Sequence, residues 1–372
     1  GTINIYAGYE EGTLGYQIMG DNIIRLTRTD FDTTFTETNT GTLYKATESI
    51  AGSTPKDVYY FAGNALNNWV KFGTWREDKS IVLGYRSTDS GDYSKRFTSL
   101  SECNNDKVFH FNCEIVKLAS KNDPMYWRII RTNEDGSIRL LYSGISTTSN
   151  NAVIDFSKYN NNMYDPLYAG YMYGTSGSLE NNRANTTDST VKSIVDTWYK
   201  NNLTDYTKYL SKEAVYCNDR SITNSFDTTQ NIINSSYSRN VSGSQPTYDC
   251  MSQEDSFSAE NPLAKLTYPV GLITADEFVY AGGEWSNTKD NEKNMWVDSN
   301  KNNQHILSGK WWWTMTPSYW MSSWGETRIF NISQKSYRLD DNGVYSANAA
   351  IRPVISIKGD NIWKNGDGSA EH

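Results

Sequence analysis

YWRIIRTNEDGSIRLLYSG, residues 126–144, is the stretch on which the reading of the fold turns. Trp127, Ile129 and Arg131 alternate with Arg128, Ile130 and Thr132, the period-two pattern of a strand. Asp135-Gly136 then supplies a positive-φ turn, and Ser137–Tyr142 returns as the second strand of a hairpin. Upstream, DVYYFAG (57–63) and NNWVKFG (67–73) are short aromatic runs bounded by Gly and Asn, and they also read as strands. Downstream, WWWTMTPSYW (311–320), TRIFNIS (327–333), SYRLDD (336–341) and AAIRPVISIKG (349–359) repeat that texture between Gly, Asn and Ser turns.

Two helices are expected between these groups of strands. In DSTVKSIVDTWYKNNL (188–203), Val191, Ile194, Val195 and Trp198 fall at i, i+3, i+4 and i+7, with Asp188 or Ser189 as cap. In LITADEFVYAGG (272–283), Thr274 and Glu277 have capping-box spacing and Gly282-Gly283 ends the segment. Residues 218–262, rich in Ser, Asn and Thr, are expected as long loop. Strands at both ends with helices between them give an α+β class. The polar, Thr-rich residues 1–56 read as an extended lead-in with weak strands, and the main domain as 57–372.

Composition narrows the function. The 372 residues carry a formal charge of −8 and no Lys/Arg block, which argues against a nucleic-acid partner. No run approaches the roughly twenty apolar residues that span a bilayer, so this segment is not expected to insert into a membrane. Gly1 is not followed by a basic and then apolar leader, so a signal peptide is expected to be absent or removed. The 26 Tyr, 12 Trp and 12 Phe, set among small polar residues, are the types that contact surfaces favour. With only three histidines, far apart in sequence, most histidine-based metal and acid–base chemistry is excluded.

Cys103, Cys113, Cys217 and Cys250 form an even set and read as two disulfides, for which three connectivities are open. Sequential pairing, Cys103–Cys113 and Cys217–Cys250, closes the shortest loops and is preferred. The rival, a zinc site using His110 with the first pair, lacks a CxxC pair and a fourth nearby ligand. No cofactor is expected.

The segments YYFAGNALNNWVKF, YWRIIRTNEDGSIRLLYSG, YAGYMYG, STVKSIVDTWYKNNL, YCNDRS, TYPVGLITADEFVYAGG, WWWTMTPS and IRPVISIKG occur in this order. Together they resemble surface and pilin-associated proteins of Gram-positive gut bacteria whose ligand-binding region is C-type lectin-like. The resemblance covers most of 57–372. It implies a C-type lectin-like domain displayed at the cell surface, with its anchor outside this chain. In related variable proteins the exposed loops of the last strands form the binding face, and the matching stretch here is Ser318–Asn348. Residues 76–124 depart from the pattern and read as an inserted, disulfide-stapled subdomain. The Glu-Pro-Asn and Trp-Asn-Asp calcium motifs of sugar-binding lectins are missing, as is the close cysteine pair of a sulfatase-modifying enzyme. Fold alone does not carry function across such a family.

Against that frame, Tyr319, Trp320, Met321, Trp324, Tyr337, Arg338, Asp340 and Tyr345 are the candidate ligand contacts, because exposed aromatics with an Arg are what binding hot spots use. Asp341 joins them as a polar contact, and Trp285 with Trp296 forms a second candidate patch. Other conspicuous groups read as framework. Asp276 and Glu277 belong to a helix start, Asp219 and Arg220 to a structural ion pair, Trp311–Trp313 to packing and Arg352 to a framework salt bridge. NGDGS (365–369) reads as a turn. The expected function is an extracellular adhesin or receptor-binding module, not an enzyme, whose partner is a host or microbial surface protein or a glycan. The alternatives are a structural surface or minor-pilin subunit and, behind it, a sulfatase-modifying-like enzyme.

Overall fold

The computed structural model describes residues 9–31, 38–88, 91–149, 152–242, 245–285, 296–298, 311–333, 338–345 and 348–362. In chain order the elements that matter here are α1 (Leu14–Asp21), β1 (Ile24–Thr27), β2 (Thr42–Glu48), β3 (Lys56–Tyr60), β4 (Trp69–Thr74), β5 (Lys79–Thr88), β6 (Gly91–Phe97), α2 (Leu100–Asn104), β7 (Asn112–Ala119), β8 (Pro124–Thr132), β9 (Ile138–Tyr142) and β10 (Asp155–Ser157). They continue with α3 (Thr190–Asn202), β11 (Ile232–Ile233), β12 (Val270–Gly271), α4 (Ala275–Tyr280), β13 (Trp311–Met321), β14 (Glu326–Ser333), β15 (Arg338–Gly343), β16 (Ala349–Ile351) and β17 (Val354–Ile357).

The 126–144 stretch forms the expected hairpin at the centre of the larger sheet. Gly136 takes φ 82° in the turn, a conformation that glycine adopts without strain. The sheet runs β1-β2-β3-β8-β9-β17-β12, with β4 also on β8. Because β8 and β9 are central, nearly every residue of both is buried, Arg128, Arg131 and Arg139 included. A strand covered on both faces has no solvent side, so the alternation along β8 does not divide buried from exposed positions. The second sheet runs β10-β16-β13-β14-β15, with β11 on the far half of β13.

Both expected helices form. In α3, Ser189 accepts the Lys192 N–H as N-cap, and Val191, Val195 and Trp198 are buried. In α4 the Thr274–Glu277 capping box is complete. The residues before Asp57 do more than lead in. α1 buries Leu14, Ile18 and Met19, and β2 pairs with β3 through five residue pairs while burying Leu43. The result is a mixed α+β molecule, mostly sheet.

Residues 76–124 leave and re-enter the large sheet between strands that pair directly, since Trp69 lies opposite Arg128 and Thr74 opposite Pro124. The excursion is a three-stranded sheet, β6-β5-β7, with α2 packed on it. Gly84 is required there, because a Cβ would meet the Phe97 ring at 2.6 Å and Phe111 at 2.8 Å. Both disulfides have the sequential pairing, Cys103–Cys113 closing this subdomain and Cys217–Cys250 the 218–262 region. Such bonds persist in oxidising compartments. Among the described residues no helix is long and apolar enough to cross a membrane.

Asp155 on β10 docks the inserted sheet, accepting Lys79 Nζ and Arg96 Nε at 2.9 Å each. Burial raises its carboxyl pKa, but Lys79, Arg96 and the Phe156 N–H together hold it below the ordinary carboxylate value. A depressed folded pKa gives stability that is complete above the unfolded value and lost as pH falls through the folded one. Below roughly pH 4, amide exchange in β5–β7 is therefore expected to accelerate before that of β8 and β9.

Candidate functional site

β13 and β14 form a long hairpin, and its tip carries the most exposed tryptophan in the described set. The turn Ser322–Gly325 is pinned from outside: the Ser322 N–H and hydroxyl donate to Asn231 Oδ1 at 2.9 and 3.1 Å. Gly325 sits at φ 58°, so the turn needs a residue free in the left-handed region. Next to it Trp324 is 69% exposed. Tyr164, also 69% exposed, comes from another loop, and its ring lies 3.6 Å from where a Gly325 Cβ would stand.

A backbone junction at Thr327 brings these residues together. The Thr327 N–H donates to the Met163 carbonyl at 3.1 Å, its hydroxyl donates to the Asp165 carbonyl at 2.7 Å, and the Val344 N–H donates to the Thr327 carbonyl at 3.0 Å. Tyr164, Trp324 and Tyr345 thus all lie within three residues of one junction. Tyr345 is 41% exposed and has the Lys158 ammonium 3.2 Å from its ring centroid. Asp165 caps the short helix starting at Pro166, which fixes the loop holding Tyr164. Beneath lies a narrow cleft lined by Pro166, Ala169, Phe226, Ile232 and Trp320 together with the polar side chains of Asn182, Arg220 and Asn234.

The expected contacts are divided between the two faces of this sheet. Tyr319 is half-buried and meets Tyr237 edge-on at 5.2 Å. Beside it Arg328 donates to Asp341 Oδ1 at 2.5 Å and Glu326 Oε1 at 2.6 Å, while Ser318 donates to Asp341 Oδ2 at 2.9 Å. Burial pushes the Asp341 carboxyl above its usual value, against the pull of Arg328 and Ser318. On the alternate face Trp320 is only 6% exposed, with its indole N–H on the Thr228 carbonyl and its backbone opposite Ile232. It supports the tip from beneath. Met321 is half-buried, and so are Arg338 and Asp340, which lie 3.5 Å apart. Tyr337 lies outside the described residues.

Of the second candidate patch, Trp296 is a core residue at 1% exposure, donating to the Phe61 carbonyl. Trp285 is half-buried against Tyr237 and Phe330. Tyr164, Tyr237 and Arg328 were missed by sequence reasoning. The Asp165-Pro166 helix start was a usable signal for the first, since it marks Tyr164 as a loop residue.

Among the described residues the groups expected as framework are all buried or half-buried, but their partners differ from the expected ones, and the polar contacts of Arg352 are hydrogen bonds rather than the expected salt bridge. Trp312 and Trp313 are both buried, under Arg352 and against Tyr159 respectively, and Trp311 is half-buried. Arg352 donates to the Tyr142 carbonyl. Arg220 pairs with Asp255 at 2.6 Å rather than with its neighbour Asp219, which instead takes Arg239 at 2.8 Å. A second narrow cleft is lined by Arg131, Arg139, Arg239, Asp219, Asp249, Asp276 and Glu277 among others. Most of its charges are committed to one another, while Asp249 Oδ1 takes the Ser49 N–H at 2.8 Å. Asp276 takes Arg239 through both oxygens at 2.7 and 2.8 Å, and Glu277 takes Arg131 at 3.1 Å and Arg139 at 3.0 Å. Among the described residues no group of three His, Cys, Asp or Glu side chains is placed to hold a metal.

Compared with known proteins, the chain matches no family model, no curated protein and no solved structure.

Proposed function

We propose that this chain is an extracellular binding module of the adhesin or receptor-binding type, on a C-type lectin-like domain, and that it holds a surface partner at the β13–β14 hairpin tip. The observation that carries the reading is the pair Tyr164 and Trp324, each 69% exposed on a backbone fixed by the Thr327 and Asn231 hydrogen bonds. Large aromatic side chains on an ordered backbone lose little entropy on contact, which is why binding faces favour them. The commitment of Asp219, Asp276 and Glu277 to arginines supports binding over covalent chemistry at those carboxylates, because a general base needs a lone pair that is not already engaged.

The test is capture from mucosal secretions and epithelial membranes by the immobilised chain, compared with Trp324→Ala/Tyr164→Ala. Both side chains are exposed, so circular dichroism should not change. A hot-spot truncation costs about 2 kcal/mol, or roughly 30-fold in affinity, so the double variant should lose the partner. Equal capture by both proteins moves the site elsewhere. Concentration-dependent self-assembly with no captured partner would favour the alternative of a structural surface subunit.

A further inference from the structure

Among the described residues, Arg128 is a buried cation whose neighbours are neutral or cationic. It is 3% exposed. Its Nε donates to Asn68 Oδ1 at 2.6 Å and its Nη2 to the Ala65 carbonyl at 2.7 Å. The guanidinium lies 4.2 Å from the Trp69 ring centroid and 5.7 Å from that of Trp296. Among the described residues no carboxylate reaches it and Nη1 has no hydrogen-bond partner. The contrast with other buried arginines is sharp, for Arg131, Arg139 and Arg220 each meet a carboxylate within 3.1 Å. A buried charge is costly unless paired, and an aromatic face returns only part of that cost. Burial first, and the like charge of Arg352 second, both disfavour the charged form of Arg128.

The surroundings have one sign. On the β4–β8 face Trp69 lies opposite Arg128 and exposed Lys71 lies opposite Tyr126, with the Lys71 ammonium 5.9 Å from the Tyr126 ring. Cations and rings therefore lead from solvent to Arg128. We propose that Arg128 is the cation of an anion-binding site, walled by Trp69 and Trp296, that takes a halide or a small carboxylate on its Nη1 side. Asn68 and Ala65 occupy the Nε–Nη2 edge, which leaves the two Nη1 hydrogens and the second Nη2 hydrogen as donors.

Iodide quenches tryptophan on contact, and Trp69 and Trp296 are only 7% and 1% exposed. Iodide titration of the full chain, with ionic strength held by sodium fluoride, should give a saturable quenching component above the linear one from exposed Trp324. Acetate should displace it, caesium should not produce it, and Arg128→Met and Arg128→Lys should each lose it. Strictly linear iodide quenching, or a saturable component that survives in folded Arg128→Met, overturns the proposal. If neither variant folds, bromide-soaked crystals of the unaltered chain decide. An anomalous peak in hydrogen-bond range of Nη1 supports the site, and the absence of a peak there refutes it.

Discussion

Glu277→Gln should destabilise the protein by about 3–5 kcal/mol, the cost of leaving a buried charge without its partner. Glu277 is 1% exposed and sits between Arg131 and Arg139, which are 3% and 0% exposed. Arg131 also has Glu48, whose two oxygens take Nη1 and Nη2 at 2.9 Å each. Arg139 has no second carboxylate among the described residues, only Asn133 Oδ1 and the Val215 carbonyl. The isosteric change therefore strands Arg139 while leaving the shape of the helix cap intact. The converse change should be milder. Arg139→Met leaves Glu277 still paired with Arg131, so its urea midpoint should lie between those of Glu277→Gln and the unaltered chain. Equal losses from the two variants would show that the network does not partition charge as the geometry indicates.

Removing Cys217–Cys250 by a double serine substitution should cost about 4 kcal/mol, from the chain entropy of closing a loop of this length. The two residues are 33 apart in sequence, against 10 for Cys103–Cys113, for which the same relation gives about 3 kcal/mol. The longer loop also includes Arg239, which holds Asp219 and Asp276 together across the charged cleft. Backbone bonds from Ala51 N–H to the Cys250 carbonyl and from Cys250 N–H to the Ser49 carbonyl hold one end in place without the disulfide. The loss should therefore appear as a lower thermal midpoint for the whole domain. Loss of Cys103–Cys113 should first unfold the three-stranded sheet, seen as selective exchange in β5–β7. A larger drop from the shorter bridge would contradict this ordering.

What the sequence revealed follows from the range over which its signals act. The β8–β9 hairpin, the Thr274–Glu277 capping box, the apolar stripe of α3 and the 311–359 strands are written within a few neighbouring residues, and all were legible. The pairing of β2 with β3 and the seating of α1 were not, because residues 1–56 have weak local pattern and gain their burial from strands far along the chain. The charged network was hidden for the same reason. Glu48, Arg131 and Glu277 are 83 and 146 positions apart, and no spacing rule joins them. Among the candidate contacts, alternation along β13 divides Tyr319 from Trp320, and register alone decides which is buried. Tyr164 joins the tip through Thr327, a contact 162 residues away in sequence from Asp165.

A rival surface exists on the inserted subdomain. Val108 and Phe109 are 76% and 45% exposed in the loop closed by Cys103–Cys113. Hydrogen exchange of the chain with and without its captured partner separates the two. Protection of backbone amides in 319–328 and 161–168, with 104–115 unchanged, is the predicted footprint of a partner held at the hairpin tip. Protection confined to 104–115, with the tip exchanging freely, would contradict it.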